Sequence, residues 1–170
     1  MQAFPIPSRR SALLPLALGL ILACSAALPA HAENDPGVPY WVSLRKQPAN
    51  LRVGPGREYR IAWVYVRPGL PMKVLRVMGG WRLIEDPDGA RGWMLAQFLT
   101  RTRTGMVKGG PKSEPAAIRE NKDGSGKLMW RAAPGVVARL DDCDEGWCKA
   151  DIDGRKGFIE ARKVWGAGTP

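Results

Sequence analysis

From residue 33 onward the apolar positions never settle into a helical period. They alternate in short runs rich in Val, Ile and Trp, and Gly or Pro interrupts every few residues, which predicts strands joined by tight turns. Ile61, Trp63 and Tyr65 alternate with Ala62 and Val64. Val74-Leu75-Arg76-Val77 leads through Gly79-Gly80 into Trp81-Arg82-Leu83-Ile84, a hairpin with a glycine turn. Asp88-Gly89 predicts the next turn, before Arg91-Gly92-Trp93-Met94, and Gln97-Phe98-Leu99 predicts a closing helical turn and a short strand. Five short strands with tight hairpins suit a small barrel, because closure removes the exposed edges that an open sheet would leave.

The pattern then repeats. Leu51-Arg52, Pro68-Gly69, Trp81 and Gly92-Trp93 return as Ile118-Arg119, Pro134-Gly135, Trp147 and Gly157-Phe158. The intervals from Leu51 to Gly69, to Trp81 and to Gly92 are 18, 12 and 11, against 17, 12 and 10 in the second copy. Four landmarks in one order, with every interval matched to within a residue, identify an internal duplication of about 60 residues per unit. The basic, Gly/Pro-rich stretch 101–115 is expected to join the units.

The N-terminus is different. Ser8-Arg9-Arg10-Ser11 precedes a Leu/Ala-rich stretch over 12–27, and Ala30-His31-Ala32 has the small-x-small pattern of a signal-peptidase site. Residues 1–32 are therefore expected to be a cleaved signal peptide, making the chain periplasmic or secreted. A retained anchor is disfavoured by Pro15 and Gly19 and by a length short of the roughly 20 apolar residues that a spanning helix needs. Ile21-Leu22-Ala23-Cys24 resembles a bacterial lipobox with a poor fit at Leu22, so a lipoprotein acylated on Cys24 stands as a further alternative. Arg9-Arg10 hints only weakly at a twin-arginine signal.

Removing residues 1–32 takes away Arg9 and Arg10 and no acid, which lowers the net charge from +10 to +8. Residues 33–107 carry +6 and residues 108–170 carry +2. Such a chain suits anionic or polar partners; export argues against nucleic acid and in favour of wall polymers or anionic head groups. Cys143 and Cys148 flank Asp144-Glu145-Gly146-Trp147 on either side of an expected hairpin turn, and an oxidising compartment makes a disulfide the natural reading. Two Cys with no His beside them do not complete a zinc set, and no cofactor is expected. The single His is His31, in the leader, so a processed chain has no triad and no Cys-His pair. Glu85-Asp86-Pro87-Asp88 and 141–145 could supply a carboxylate pair, but acids beside hairpin turns read as solvated turns. The expectation is a protein that is not an enzyme.

With these residues in view, Asn50-Leu51-Arg52-Val53-Gly54-Pro55-Gly56, then Pro-Gly, then Gly-Trp twice, resembles the bacterial SH3-like domain. The second unit departs from that pattern, with Glu120-Asn121-Lys122 in place of Val-Gly-Pro and Phe158 in place of the second Trp. The whole arrangement is similar to small secreted proteins with tandem domains of this kind. The resemblance implies an all-β chain with two SH3-like barrels in tandem, over 39–107 and 108–166. It also implies a module that binds either cell-wall peptidoglycan, as stem peptide or glycan, or an exported protein partner.

In that family the segment between the glycine loop and Pro68-Gly69 borders a peptide groove. This makes Tyr59, Trp63 and Tyr65, with Arg52 and Arg57, the expected ligand-binding residues, and the intact loop and higher charge of the first unit make it the principal binder. Trp81, Trp93 and Trp147 are expected in the cores, Trp130 is the counterpart of the Trp63 region, and Trp41 and Trp165 are expected to cover the barrel ends.

Overall fold

The computed structural model describes residues 37–170; the expected signal peptide, Cys24 and His31 lie outside the described residues. The first sheet holds β1 (Tyr40–Leu44), β2 (Ala49–Arg52), β3 (Ile61–Tyr65), β4 (Pro71–Met78), β5 (Trp81–Glu85), β6 (Arg91–Leu95) and β7 (Leu99–Thr100). The second holds β8 (Thr104–Val107), β9 (Ala116–Arg119), β10 (Leu128–Ala132), β11 (Val137–Asp144), β12 (Trp147–Ile152), β13 (Arg155–Glu160) and β14 (Val164–Trp165). Strand order is β3-β2-β6-β5-β4-β1-β7 in one and β10-β9-β13-β12-β11-β8-β14 in the other, the same topology with every strand advanced by seven. Every strand pairing among the described residues is antiparallel, and their helical content is two 3-10 turns, Ala96–Phe98 and Ala161–Lys163.

Each sheet has seven strands where the alternation predicted five. The additional strands are short or adjoin loops: β2 has four residues directly after Pro48, and β7 has two. The division between the sheets also differs from the expected connector. Thr104–Val107 pairs with β11 and β14, so it opens the second sheet, and only residues 101–103 join the two. The Gly/Pro-rich stretch after Val107 is a loop within the second barrel, between β8 and β9.

The first core gathers Leu44, Leu51, Met72, Val74, Ile84 and Met94, and the second Val107, Ile118, Leu140, Cys148, Ile159 and Val164. Each set draws on strands from across its sheet, so neither core forms until the chain has closed. Trp93 joins the buried set, as expected. Tyr65 does too, at 5% exposure, and its hydroxyl donates to Asp86 Oδ2 at 2.8 Å. Burial first, then the bond to Asp86, raises the Tyr65 hydroxyl pKa. Asp86 Oδ1 accepts from the amides of Asp88 (3.0 Å) and Ala90 (2.8 Å), so this acid ties the β5–β6 turn to the core.

Two tryptophans expected to cover barrel ends instead meet across the join. Trp41 on β1 and Trp165 on β14 pack edge to face with centroids 4.8 Å apart, and Trp41 Nε1 donates to the Gly168 carbonyl at 2.7 Å. The Arg103 guanidinium donates to the carbonyls of Gly166, Ala167 and Gly168. Thr104 Oγ1 donates to Gly69 O at 2.7 Å. The described residues accordingly form one compact unit.

Glu85, only 13% exposed, pairs with Lys73 (2.9 Å) and Arg91 (2.5 Å) across β4, β5 and β6. The hydrogen bond from Lys73 is the main cause of its lowered pKa. A carboxylate whose folded pKa is depressed stabilises the fold above its unfolded value, and that contribution is lost as pH falls through the folded value. Glu85→Gln should therefore lower the melting temperature at pH 7, and by progressively less as pH falls below the ordinary glutamate value of about 4.3; a loss that stays constant into acid would contradict the assignment.

Cys143 and Cys148 are directly opposite each other on β11 and β12 and form a disulfide. Closing a loop of this length is worth about 2 kcal/mol on the chain-entropy estimate. Cys143→Ser should lower unfolding free energy by roughly that amount, with the loss concentrated in second-barrel amides by native-state hydrogen exchange.

Candidate functional site

The long β2–β3 loop of the first barrel is built around its glycines. Gly54 lies against the Tyr59 ring, and Glu58 folds back over Gly56, where a Cβ would strike its carboxylate. Arg52, at the end of β2, reaches into the loop and donates from one guanidinium nitrogen to Arg57 O (2.8 Å) and Tyr59 O (2.6 Å). Val53 N donates to Arg60 O at 3.1 Å, closing the loop base. Arg52 is therefore a positioning residue: it fixes the loop conformation and thereby places the exposed Arg57.

Arg57 faces the far wall of a shallow groove of about 180 Å³, lined by Asn50, Arg52, Arg57, Trp81, Leu95, Gln97 and Phe98. Trp81 opens β5 directly after the Gly79-Gly80 turn, and Leu95, Gln97 and Phe98 come from the end of β6 and the 3-10 turn. The groove thus sets an arginine-bearing loop opposite an apolar wall of Trp81, Leu95 and Phe98, with two side-chain amides between them. Such a surface suits a short segment that carries carboxylates and an apolar or sugar face.

Of the five residues named from sequence, Arg52 and Arg57 are brought together here. Tyr65 is not: it is buried in the core at the end of β3, opposite Ala49, while the four residues before it on that strand are exposed. Tyr59 and Trp63 are exposed but do not line the groove; Trp63 stands on β3, paired with Leu51. Trp81, expected in the core, is half-buried and forms the groove wall. Its place at a strand start beside a turn was the available signal, since a residue at the end of a sheet has fewer neighbours to bury it.

The same place in the second barrel is closed. Gly124, in the β9–β10 loop, sits directly on the six-membered ring of Trp147, the counterpart of Trp81. Its φ of +77° carries the loop over the indole, and a Cβ there would overlap the ring. Lys122 Nζ pairs with Asp144 Oδ2 at 2.7 Å, fastening the loop to β11, and this pairing raises the Lys122 pKa and lowers that of Asp144. Arg119 reaches only one loop carbonyl, Gly126 O, at 3.5 Å.

Several of the acids weighed for catalysis have structural partners. Asp86 is buried and bonded to Tyr65 and the turn, while Glu85 and Asp144 have lowered pKa values, the opposite of what a general acid at neutral pH requires. Among the described residues no group of three His, Cys, Asp or Glu side chains converges to hold a metal ion, and no helix is long and apolar enough to cross a membrane.

The chain is 24% identical over 127 residues to the "Putative N-acetylmuramoyl-L-alanine amidase YrvJ" of Bacillus subtilis (strain 168), a match that covers 71% of this chain and 24% of that protein. The chain thus corresponds to about a quarter of its curated relative. Among solved structures, NlpC2 from Trichomonas vaginalis aligns at 10% identity over 75% of this chain and 48% of that one, with a TM-score of 0.33. NlpC1 from the same organism aligns at 12% over 74% and 45%, with a TM-score of 0.32. The family model for the bacterial SH3 domain matches twice, over residues 45–99 and 112–166, one match to each sheet. The chain belongs to the bacterial SH3 domain family, of which it carries two copies in tandem.

Proposed function

We propose that this is an exported, non-catalytic peptidoglycan-binding protein, and that the groove of the first barrel takes the stem peptide. The observation that supports this reading best is the asymmetry of the two barrels: one groove is open between Arg57 and Trp81, and the other is covered by its own loop at Gly124 and Trp147. The relative's name describes a protein acting on the bond between muramic acid and alanine, so a shared binding module directed at the same polymer fits that match.

The chemistry is suitable. Stem peptides carry free carboxylates along a short extended chain, which Arg57 can meet with charge-assisted hydrogen bonds while Trp81 and Phe98 cover apolar faces. Arg52 already spends donors on the loop, so little ordering remains to be done on binding. Catalysis is not needed for any of this, and the second barrel serves as a disulfide-stapled support held against the first through Trp41, Trp165 and Arg103.

Sedimentation with purified sacculi tests the reading. The processed chain should pellet with sacculi with no other protein added and remain in the supernatant without them. A chain that stays soluble with sacculi, at low salt and micromolar concentration, would overturn it.

A further inference from the structure

We propose that the free edge of β3 is a second docking site, distinct from the groove, which takes an extended peptide with acidic residues at both ends as an eighth strand of the first sheet. β3 is the last strand in its sheet order and pairs with β2 alone, so its outer backbone groups have no strand partner. Edge strands in soluble proteins are ordinarily blunted by charge, by proline or by a covering element. The six residues 61–66, Ile-Ala-Trp-Val-Tyr-Val, contain neither a charge nor a proline. Ile61, Trp63, Val64 and Val66 are all exposed, Trp63 by 62% and Val66 by 70%.

The second barrel provides an internal control. Its corresponding edge, β10, carries Arg131 within the strand, and Trp130, paired with Ile118 as Trp63 is with Leu51, packs against the core and over Gly157. Trp63 is 62% exposed, whereas Trp130 is half-buried. The same fold therefore packs this tryptophan away in one copy and leaves it free in the other.

Charge selects the occupant. Arg60 and Arg67 bracket the apolar run, both exposed, and neither takes part in the ion pairs of the described residues. Glu58, the only acid from 57 to 67, is turned back over Gly56. A second copy of this chain aligned antiparallel over 61–66 would place Arg60 of each opposite Arg67 of the other, a like-charge pairing that disfavours self-association. An incoming strand with glutamate or aspartate at each end pairs with both arginines while its backbone completes the ladder and its apolar side chains meet Trp63, Val64 and Val66.

The inference does not rest on the groove reading, and the test separates them. The probe is a synthetic decapeptide of alternating valine and threonine with two glutamates at each end, compared with a lysine-ended version and with an acid-ended version whose interior is interrupted by prolines. The acid-ended strand peptide should bind, slow hydrogen exchange of amides within 61–66, and leave the signals of Arg57, Trp81 and Gln97 in place. Arg60→Glu with Arg67→Glu should weaken it by about tenfold or more and favour the lysine-ended peptide, since both end contacts change from attraction to repulsion. Four results would overturn the proposal: no binding at millimolar peptide, equal binding of the proline-interrupted peptide, indifference to the double charge reversal, or a free protein that is already dimeric through β3.

Discussion

Gly92→Val should remove about 3 kcal/mol of stability from the first barrel, the largest loss expected from any single surface-remote substitution in the chain. A Cβ at Gly92 would lie 2.7 Å from Leu51 Cγ and 2.8 Å from the Arg52 carbonyl oxygen. The leucine is fully buried, and the carbonyl belongs to the β2 residue that pairs with Trp93 on β6, so neither can retreat without separating the strands that close the sheet. Overpacking of this kind costs about 3 kcal/mol or more when backbone must move. A barrel of this size has only a few kcal/mol of stability, on the order of 0.1 kcal/mol per residue. Gly157→Val should act similarly on the second barrel, where the Cβ would strike Ile118 and approach Arg119 O at 3.1 Å. Thermal unfolding followed by circular dichroism checks this; a Gly92→Val protein that melts within a few degrees of the parent would contradict the close crossing of β6 over β2.

Trp81→Ala should reduce sacculus binding by about thirtyfold, the effect of losing a central aromatic contact of roughly 2 kcal/mol. Arg57→Ala should reduce it by about tenfold through loss of a charge-assisted hydrogen bond. Trp63→Ala, which changes an exposed residue outside the groove, should leave sacculus binding unaltered. Because Trp81 is half-buried, its melting temperature must be measured beside its binding; Arg57 is exposed and provides the cleaner comparison. Loss of binding on Trp63→Ala but not on Arg57→Ala or Trp81→Ala would move the site from the groove to the β3 edge.

Much of the fold was legible because repetition is a stronger signal than propensity. The spacing of Leu51, Gly69, Trp81 and Gly92 against Ile118, Gly135, Trp147 and Gly157 reports a closed structure made twice, and each landmark proves to be a turn or a close crossing. The 3-10 turn and closing strand after β6 were also readable, from Gln97-Phe98-Leu99. The strand Thr104–Val107 was not, since Thr-Gly-Met-Val is too short to show alternation and sits among arginines and glycines that resemble a connector. Its pairing with β11 and β14 is a long-range fact.

The site was legible only in part for a related reason. The glycine loop with Arg52 and Arg57 could be found because its residues are local. Tyr65 and Trp63 differ by two positions on one strand, and pattern alone could not say that the tyrosine is buried beside Asp86 while the tryptophan overhangs the edge. Nor could it say that Trp81 lines a groove while Trp147, equivalent in sequence and equally half-buried, has a glycine of its own loop against its ring, because what separates them is the path of a loop: Glu58 and Tyr59 pack back on the glycines of the first, whereas Lys122 and Gly124 lie across the second.

The central claim is that peptidoglycan is met by the groove of the first barrel. Titration of isotope-labelled protein with a purified muropeptide bearing its stem peptide, followed by amide and indole resonances, tests it most directly. The account predicts dose-dependent shifts at Arg57, at the Trp81 indole and at Gln97, with the Trp147 indole and the amides of 61–66 unmoved. Shifts centred on Trp147 and the β9–β10 loop, or no shifts at millimolar muropeptide, would contradict it.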